Sequence, residues 1–363
     1  MHAVRKVSIY SLAGAVVGLV YVALNDVYVP EALLRGALLG FIIAGGIGAF
    51  ESWIVGSPPH RWFVALPFLA GLLVRTLAYG LIATSALGVV ALTASGSVEM
   101  TLAYLASSQF LADIAVSFAA AIVFNFINSM QELLGGRKFA NLLAGRYHRP
   151  RLENRVFLFI DMKNTTSLAE HIGDMTFHAM LAEFCEDVGR AILRHGGEID
   201  RFVGDQVVAT WAVRDRNPGA STGCYHAIAD AKAILLARAP GYISRYGAPA
   251  DLRAGLHCGP VVAGELGVGR REIGFVGDAV NTAARIEQSC RMTGEDIMAS
   301  AELVHRIPPP RDVYAWFDLE PIALRGKAEP LAIVALRRVG EAVPLPLGQA
   351  GRSPTGTASR AET

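Results

Sequence analysis

Four long apolar stretches near the start of the chain restrict its architecture more than any other feature: residues 7–24, 32–50, 62–92 and 110–127. A helix rises about 1.5 Å per residue, so about 20 apolar residues cross a hydrocarbon core of about 30 Å. Three further stretches follow the first, which reads as a span and not as a cleaved leader. The composition fits this division. The 363 residues are 52% hydrophobic and 18% charged, against about 25% charged in ordinary soluble chains. The shortage of charge falls on residues 7–128, while residues 146–340 look like a soluble domain. The formal net charge of +1 gives no general attraction to nucleic acid, and no nucleic-acid partner is expected.

Short-loop charges set an orientation. Arg5 and Lys6 precede the first stretch, His60 and Arg61 separate the second from the third, and Arg137, Lys138, Arg146, Arg149 and Arg151 follow the fourth. The opposite loops carry Asp26, Glu31 and Glu99, with Arg35 the basic exception. The positive-inside rule then places both ends in the cytoplasm, as an even number of spans requires. The expectation is a multi-pass cell-membrane protein in contact with lipid, its soluble domain cytoplasmic. Stretch 62–92 fits one tilted helix or two shorter pieces, with Arg75 the pivot. Arg75 and Asp113 are ionisable residues in or near spans, and read as functional groups, as a buried pair, or as snorkelling side chains.

Four regions follow: a transmembrane helical domain over 1–128, a linker helix over 129–151, a soluble domain over 152–340, and a Gly/Pro/Ser/Thr/Ala-rich tail over 341–363 that is expected to be disordered. In the linker, Met130, Leu133 and Leu134 continue a helical stripe that Phe139, Leu142 and Leu143 resume. Gly135 and Gly136 weaken the helix between them, and Pro150 ends it. Cys185, Cys224, Cys258 and Cys290 contain no C-x-x-C pair and read as reduced thiols.

In the soluble half, residues 156–160 (VFLFI) form a buried strand ending at Asp161. A Thr/Ser stretch from Thr165 opens a short helix, and Asp174 begins a longer one with apolar residues at three- and four-residue spacing. Residues 198–203 and 206–211 read as a hairpin around Gly204 and Asp205. A helix over 223–237 follows, then a second hairpin of 251–257 and 261–264 turning at 258–260. After these come a strand over 271–276, a helix over 279–290, and late strands at 314–319 and 331–337. The fold class is α+β, helices over a sheet, behind an all-α membrane domain of about four helices.

Asp161, at the end of a buried strand, faces a helix start where the N–H groups of residues 162–165 would be free to bind phosphate. A carboxylate there repels phosphate unless a cation lies between them, and Asp205 at the hairpin tip offers a second one. Two carboxylates with phosphate oxygens suit Mg²⁺ or Mn²⁺, although Asp205 alone is also an ordinary turn residue. Asn281 and Arg285 lie four apart on one helix. An amide and a guanidinium together suit a ribose and a phosphate, although such a pair also fits a solvated face.

The segments FLFIDMKNTTSLAE (157–170), HGGEIDRFVGDQVVATW (195–211), LHCGPVVAGELG (256–267) and GFVGDAVNTAARIE (274–287) together resemble the class III adenylate and guanylate cyclase catalytic domain, in its order and spacing. The resemblance implies a ferredoxin-like α+β domain working as a homodimer with active sites at the interface. It implies two metal ions per site, held by Asp161 and Asp205 of one subunit, with Asn281 and Arg285 reaching in from the other. It further implies that ATP becomes 3′,5′-cyclic AMP and pyrophosphate. Asn281 would orient the ribose, and Arg285 would stabilise charge at the α-phosphate. Thr165 and Thr166 match the substrate-binding turn, and Arg325 or Lys327 the basic loop that holds the triphosphate.

The chain departs from the pattern at the base. Where adenine selection in the family uses Lys, this chain has Arg201, and Arg is no neutral exchange for Lys. The second base-reading position, commonly Asp, Thr or Ser, is Gly274. Guanylate cyclases favour Glu and Cys at these two positions, and neither occurs. ATP is the expected substrate. The alternatives are a guanylate cyclase and a non-catalytic membrane sensor built on a cyclase-like dimerisation domain. A diguanylate cyclase, suggested by residues 196–198, is disfavoured because its Gly pair belongs in the hairpin turn and here precedes the first strand.

Overall fold

The computed structural model describes residues 2–24, 29–56, 66–213, 221–268, 272–323 and 329–340, in two compact units that divide between Leu134 and Gly135. The first unit is helical: α1 (His2–Leu24), α2 (Pro30–Gly56), α3 (Phe68–Ser95), α4 (Val98–Leu105) and α5 (Ser108–Leu134). Four of these, all but α4, are long and apolar enough to cross a membrane. The third apolar stretch is one helix from Phe68 onward, with its expected start at 62–65 outside the described residues. Arg75 is no pivot. It lies within α3, 3.8 Å from Glu51 of α2, which also accepts a hydrogen bond from Tyr79. Asp113 accepts from Tyr21, Tyr104 and Gln109 at 2.7–3.0 Å. Both ionisable groups are therefore compensated, as intramembrane charges must be. Helices α1 and α2 approach at Gly14 and Gly18 against Gly36 and Gly40, where an added Cβ would lie 2.0–2.8 Å from a facing carbonyl oxygen.

The second unit opens with α6 (Gly136–Leu143), which follows the interruption of the helix at Gly135, where φ is 82°. Then come β1 (Arg151–Met162), α7 (Thr165–Ile172), α8 (Asp174–Arg194), β2 (Glu198–Val203), β3 (Gln206–Ala212), α9 (Gly223–Tyr246) and β4 (Leu252–Leu266). The sheet order β2-β3-β1-β4, antiparallel throughout, is the ferredoxin-like arrangement. The sheet continues through β6 (Ile297–Ser300), β8 (Ile333–Arg338) and β7 (Tyr314–Asp318), and β5 (Glu272–Val276) pairs with β4. Helices α10 (Asp278–Thr293) and α11 (Ala301–Arg306) complete the unit.

The second expected hairpin is corrected. Residues 252–266 are one strand, paired with β1 from Arg151↔Ala263 to Met162↔Leu252, with no turn at 258–260. Pro260 is tolerated because β6 pairs with β4 only at 254–256 and β5 only from 262. Between them β4 has a free side where a missing N–H breaks no ladder. The partner that β4 pairs with next in the chain is β5, antiparallel from Val262↔Val276 to Leu266↔Glu272.

Alternation along β1 divides the core between the two sheet faces. Val156, Leu158 and Ile160 pack with Phe184 and Val188 of α8 and Ile228 of α9. Phe157 and Phe159 pack with Val208, Val261 and the α10 residues Ala279 and Ala283. Asp161 continues the second row, so it emerges on the α10 face.

Candidate active site

Asp161 sits opposite Gln206 of β3 and Arg253 of β4 and is 3% exposed. The hairpin beside it turns at Gly204 and Asp205. Gly204 takes φ 60°, a conformation that a tight two-residue turn needs and that glycine adopts without strain. This turn brings Asp205 back to the end of β1, where the Thr165 hydroxyl donates to its Oδ2 at 2.6 Å. Asp161, Asp205 and Thr165 thus meet, while Thr166 is exposed. The expected row of free N–H groups is shorter than anticipated. Met162 is still in β1, and the Lys163 N–H donates to the Asp251 carbonyl at 3.0 Å. The strand continues past Asp161 because β4 offers it a partner there.

Helix α10 brings two groups that the sequence did not single out. The Arg291 Nη2 donates to Asp161 Oδ2 at 2.6 Å, and Glu287, 2% exposed, accepts from Gln206 Nε2 at 3.0 Å. The helix comes this close because position 255 of β4 is glycine. A Cβ there would lie 2.3 Å from the Glu287 backbone nitrogen. The signal was present in the sequence: Glu287 and Arg291 form a second i,i+4 pair, about a third of a turn around the helix from Asn281 and Arg285.

Burial raises the Asp161 carboxyl above its ordinary value. The Asp205 charge adds to this, and Arg291 and Arg253 oppose it. Burial, then the Asp161 charge, pushes Glu287 up to about 7. Crowded carboxylates on oxygen-only donors form a place that a hard divalent cation would relieve. The buried Glu287 Oε1, with no hydrogen-bond partner, marks the same unmet demand. Among the described residues no group of three or more His, Cys, Asp or Glu side chains could hold a metal. The neighbouring carboxylates of Asp161 and Asp205 are oxygen donors that fit Mg²⁺ or Mn²⁺, with the other ligands drawn from substrate and water.

Asn281 and Arg285 lie on α10, the first exposed and the second half-buried, and among the described residues neither side chain has a hydrogen-bond or ion-pair partner. Among the described residues no hydrogen bond or ion pair links either of them to Asp161, whose side chain is met by Arg291. Arg201 lies on β2 with its side chain 48% exposed, its Nε donating to Asp200 Oδ2 at 2.7 Å. Gly274 is buried opposite Gly264, and Leu266 Cδ1 lies 2.5 Å from where its Cβ would be, so Leu266 fills the space that a side chain at position 274 would take. Arg325 and Lys327 lie outside the described residues. Phe202 and Val203 on the first hairpin, and Val262, Leu266 and Val276 on β4 and β5, are exposed apolar side chains.

Residues 148–334 match the family model for the adenylate and guanylate cyclase catalytic domain. Adenylate cyclase 2 of Rhizobium meliloti is 39% identical over 236 residues, 64% of this chain and 64% of that protein. An adenylate cyclase of Anabaena cylindrica is 27% identical over 190 residues, 50% of this chain and 36% of the relative. The matched part is thus less than two thirds of either relative's length. A solved bacterial light-regulated adenylyl cyclase superposes with a TM-score of 0.50 at 17% identity, covering 61% of this chain and 63% of that one, a likeness of fold.

Proposed function

The chain belongs to the adenylate and guanylate cyclase catalytic-domain family, and from that premise we propose that it is a membrane-anchored adenylate cyclase. It acts as a homodimer on ATP, with both chain ends and the catalytic unit in the cytoplasm. The observation that carries this reading is the division of the site's groups. Asp161 and Asp205 stand together at the end of β1, while Asn281 and Arg285 lie on another face of α10 and have no side-chain hydrogen-bond or ion-pair partner among the described residues. One chain holds two half-sites, and a second copy completes each.

Asp161 and Asp205 would hold two divalent cations, Mg²⁺ or Mn²⁺, which when bound lower the pKa of the 3′-hydroxyl and neutralise phosphate charge. The Thr165 hydroxyl fixes the direction of the Asp205 carboxylate. Asn281 of the second copy orients the ribose, so that the 3′-oxygen lies in line with the α-phosphorus. The 3′-hydroxyl gives its proton to solvent water, the O3′–Pα bond forms, the bond from Pα to the bridging oxygen breaks, and pyrophosphate leaves. Arg285 of the second copy meets the charge growing on the α-phosphate oxygens, and its planar guanidinium can donate to two of them at once. Arg325 or Lys327 holds the leaving phosphates. The exposed apolar side chains of the two hairpins supply a surface for the second copy.

Two relatives named adenylate cyclase and the cationic Arg201 favour ATP. The absence of a side chain at Gly274 favours a second reading, in which GTP competes. The test is product formation by the purified chain given Mn²⁺ or Mg²⁺ with ATP, GTP, or both. Cyclic AMP as the main product is expected. Cyclic GMP alone would overturn the substrate, and no cyclic product from folded dimers would overturn the enzyme in favour of a non-catalytic sensor.

A further inference from the structure

Arg201 owes its position to an irregularity in β2. Ile199 pairs with Ala209 and Arg201 with Val208, so Asp200 is an extra residue, a β-bulge. In a regular strand, residues 199 and 201 would share a face. Here Ile199 packs on the α8/α9 core, while Arg201 is opposite Val208, which belongs to the α10 face where Asp161 emerges. The bulge therefore transfers Arg201 to the side of the sheet that carries the site.

A bulged residue loses its place in the ladder, and here a single cation from another element takes it up. Lys138 Nζ, on α6, donates to the Asp200 carbonyl at 2.5 Å and to its Oδ1 at 3.0 Å. The other carboxylate oxygen, Oδ2, accepts from Arg201 Nε at 2.7 Å. The Asp200 side chain is 3% exposed, held between these two cations, while the end of Arg201 remains open to solvent. Charge-assisted contacts of this kind are directional and strong. One residue, Gly135, separates α6 from the end of α5.

We infer that Asp200 is a positioning residue for base selection, and that Lys138 fixes it, so the choice between adenine and guanine depends on the linker helix α6. This rests on Arg201 being the group that meets the base. A purely structural role for Lys138 would alter stability and the amount of active enzyme, but both cancel in the ratio of kcat/KM for ATP to kcat/KM for GTP.

The experiment measures that ratio for the full-length chain in detergent, as wild type and as Lys138→Met, Lys138→Arg, Asp200→Asn and Arg201→Ala. A misdirected polar contact at a recognition site is expected to cost about tenfold in discrimination. Lys138→Met and Asp200→Asn should each lower the ratio by about that factor through KM for ATP, and Lys138→Arg should restore most of it. If Arg201→Ala shifts the ratio and Lys138→Met does not, the coupling to α6 is wrong while the role of Arg201 stands. If Arg201→Ala leaves the ratio unchanged, the role of Arg201 fails, and this inference fails with it.

Discussion

Glu287 is the residue whose chemistry the surroundings alter in the most testable way. Its carboxyl is buried beside Asp161 and titrates near 7, against an ordinary value of 4.5. A raised pKa means that the folded chain binds this proton more tightly than the unfolded chain does. The resulting stability is fully present below about pH 4.5 and is lost as pH rises through about 7. Glu287→Gln keeps the shape and the Gln206 contact but has no proton to lose. In metal-free buffer the melting temperature of the variant, relative to wild type, should therefore rise between pH 5 and pH 8. A difference that stays flat across that range would show that Glu287 is not held protonated by its surroundings.

At the scale of elements, the site depends on how closely α10 lies against β4. A methyl group at position 255 would meet the Glu287 backbone nitrogen at 2.3 Å and its Cα at 2.6 Å. Backbone atoms cannot turn aside, so Gly255→Ala must push the helix away. Overpacking of this kind costs about 2–3 kcal/mol, which chemical denaturation would measure; a loss below about 0.5 kcal/mol would mean that the close approach carries little weight. This packing also marks the limit of what the sequence made legible. The hairpin around Asp205 was readable because Gly-Asp sits between two short apolar runs, and Asp161 because it ends an uninterrupted one. The continuity of β4 was not, since Cys258, Gly259 and Pro260 carry the local marks of a turn. Only the free side of that strand between β6 and β5 explains why a proline fits there. The same holds for Asp200, because a bulge is a relation between two strands and leaves no mark in either alone. Glu287 and Arg291 were visible as a helical pair, but nothing in their spacing said which face met Asp161.

For the whole molecule, the division into two units was legible from charge alone, because a bilayer and water demand opposite compositions. The structure moves the division to Leu134, several residues later than the hydropathy pattern suggested, because α5 continues past its apolar core before Gly135 breaks it. The compensation of Arg75 by Glu51, and of Asp113 by two tyrosines, was hidden because the partners lie on other helices. Catalysis as proposed belongs to this scale, since each site needs groups from two copies of the chain. The most direct test mixes two inactive chains, Asp161→Ala and Arg285→Ala, each carrying a different tag so that the mixed dimer can be isolated. One of its two sites then has every group intact, and the account predicts that activity returns toward about half that of wild type while each variant alone stays inactive. Isolated mixed dimers that remain inactive would contradict the claim that two copies of this chain build the site between them.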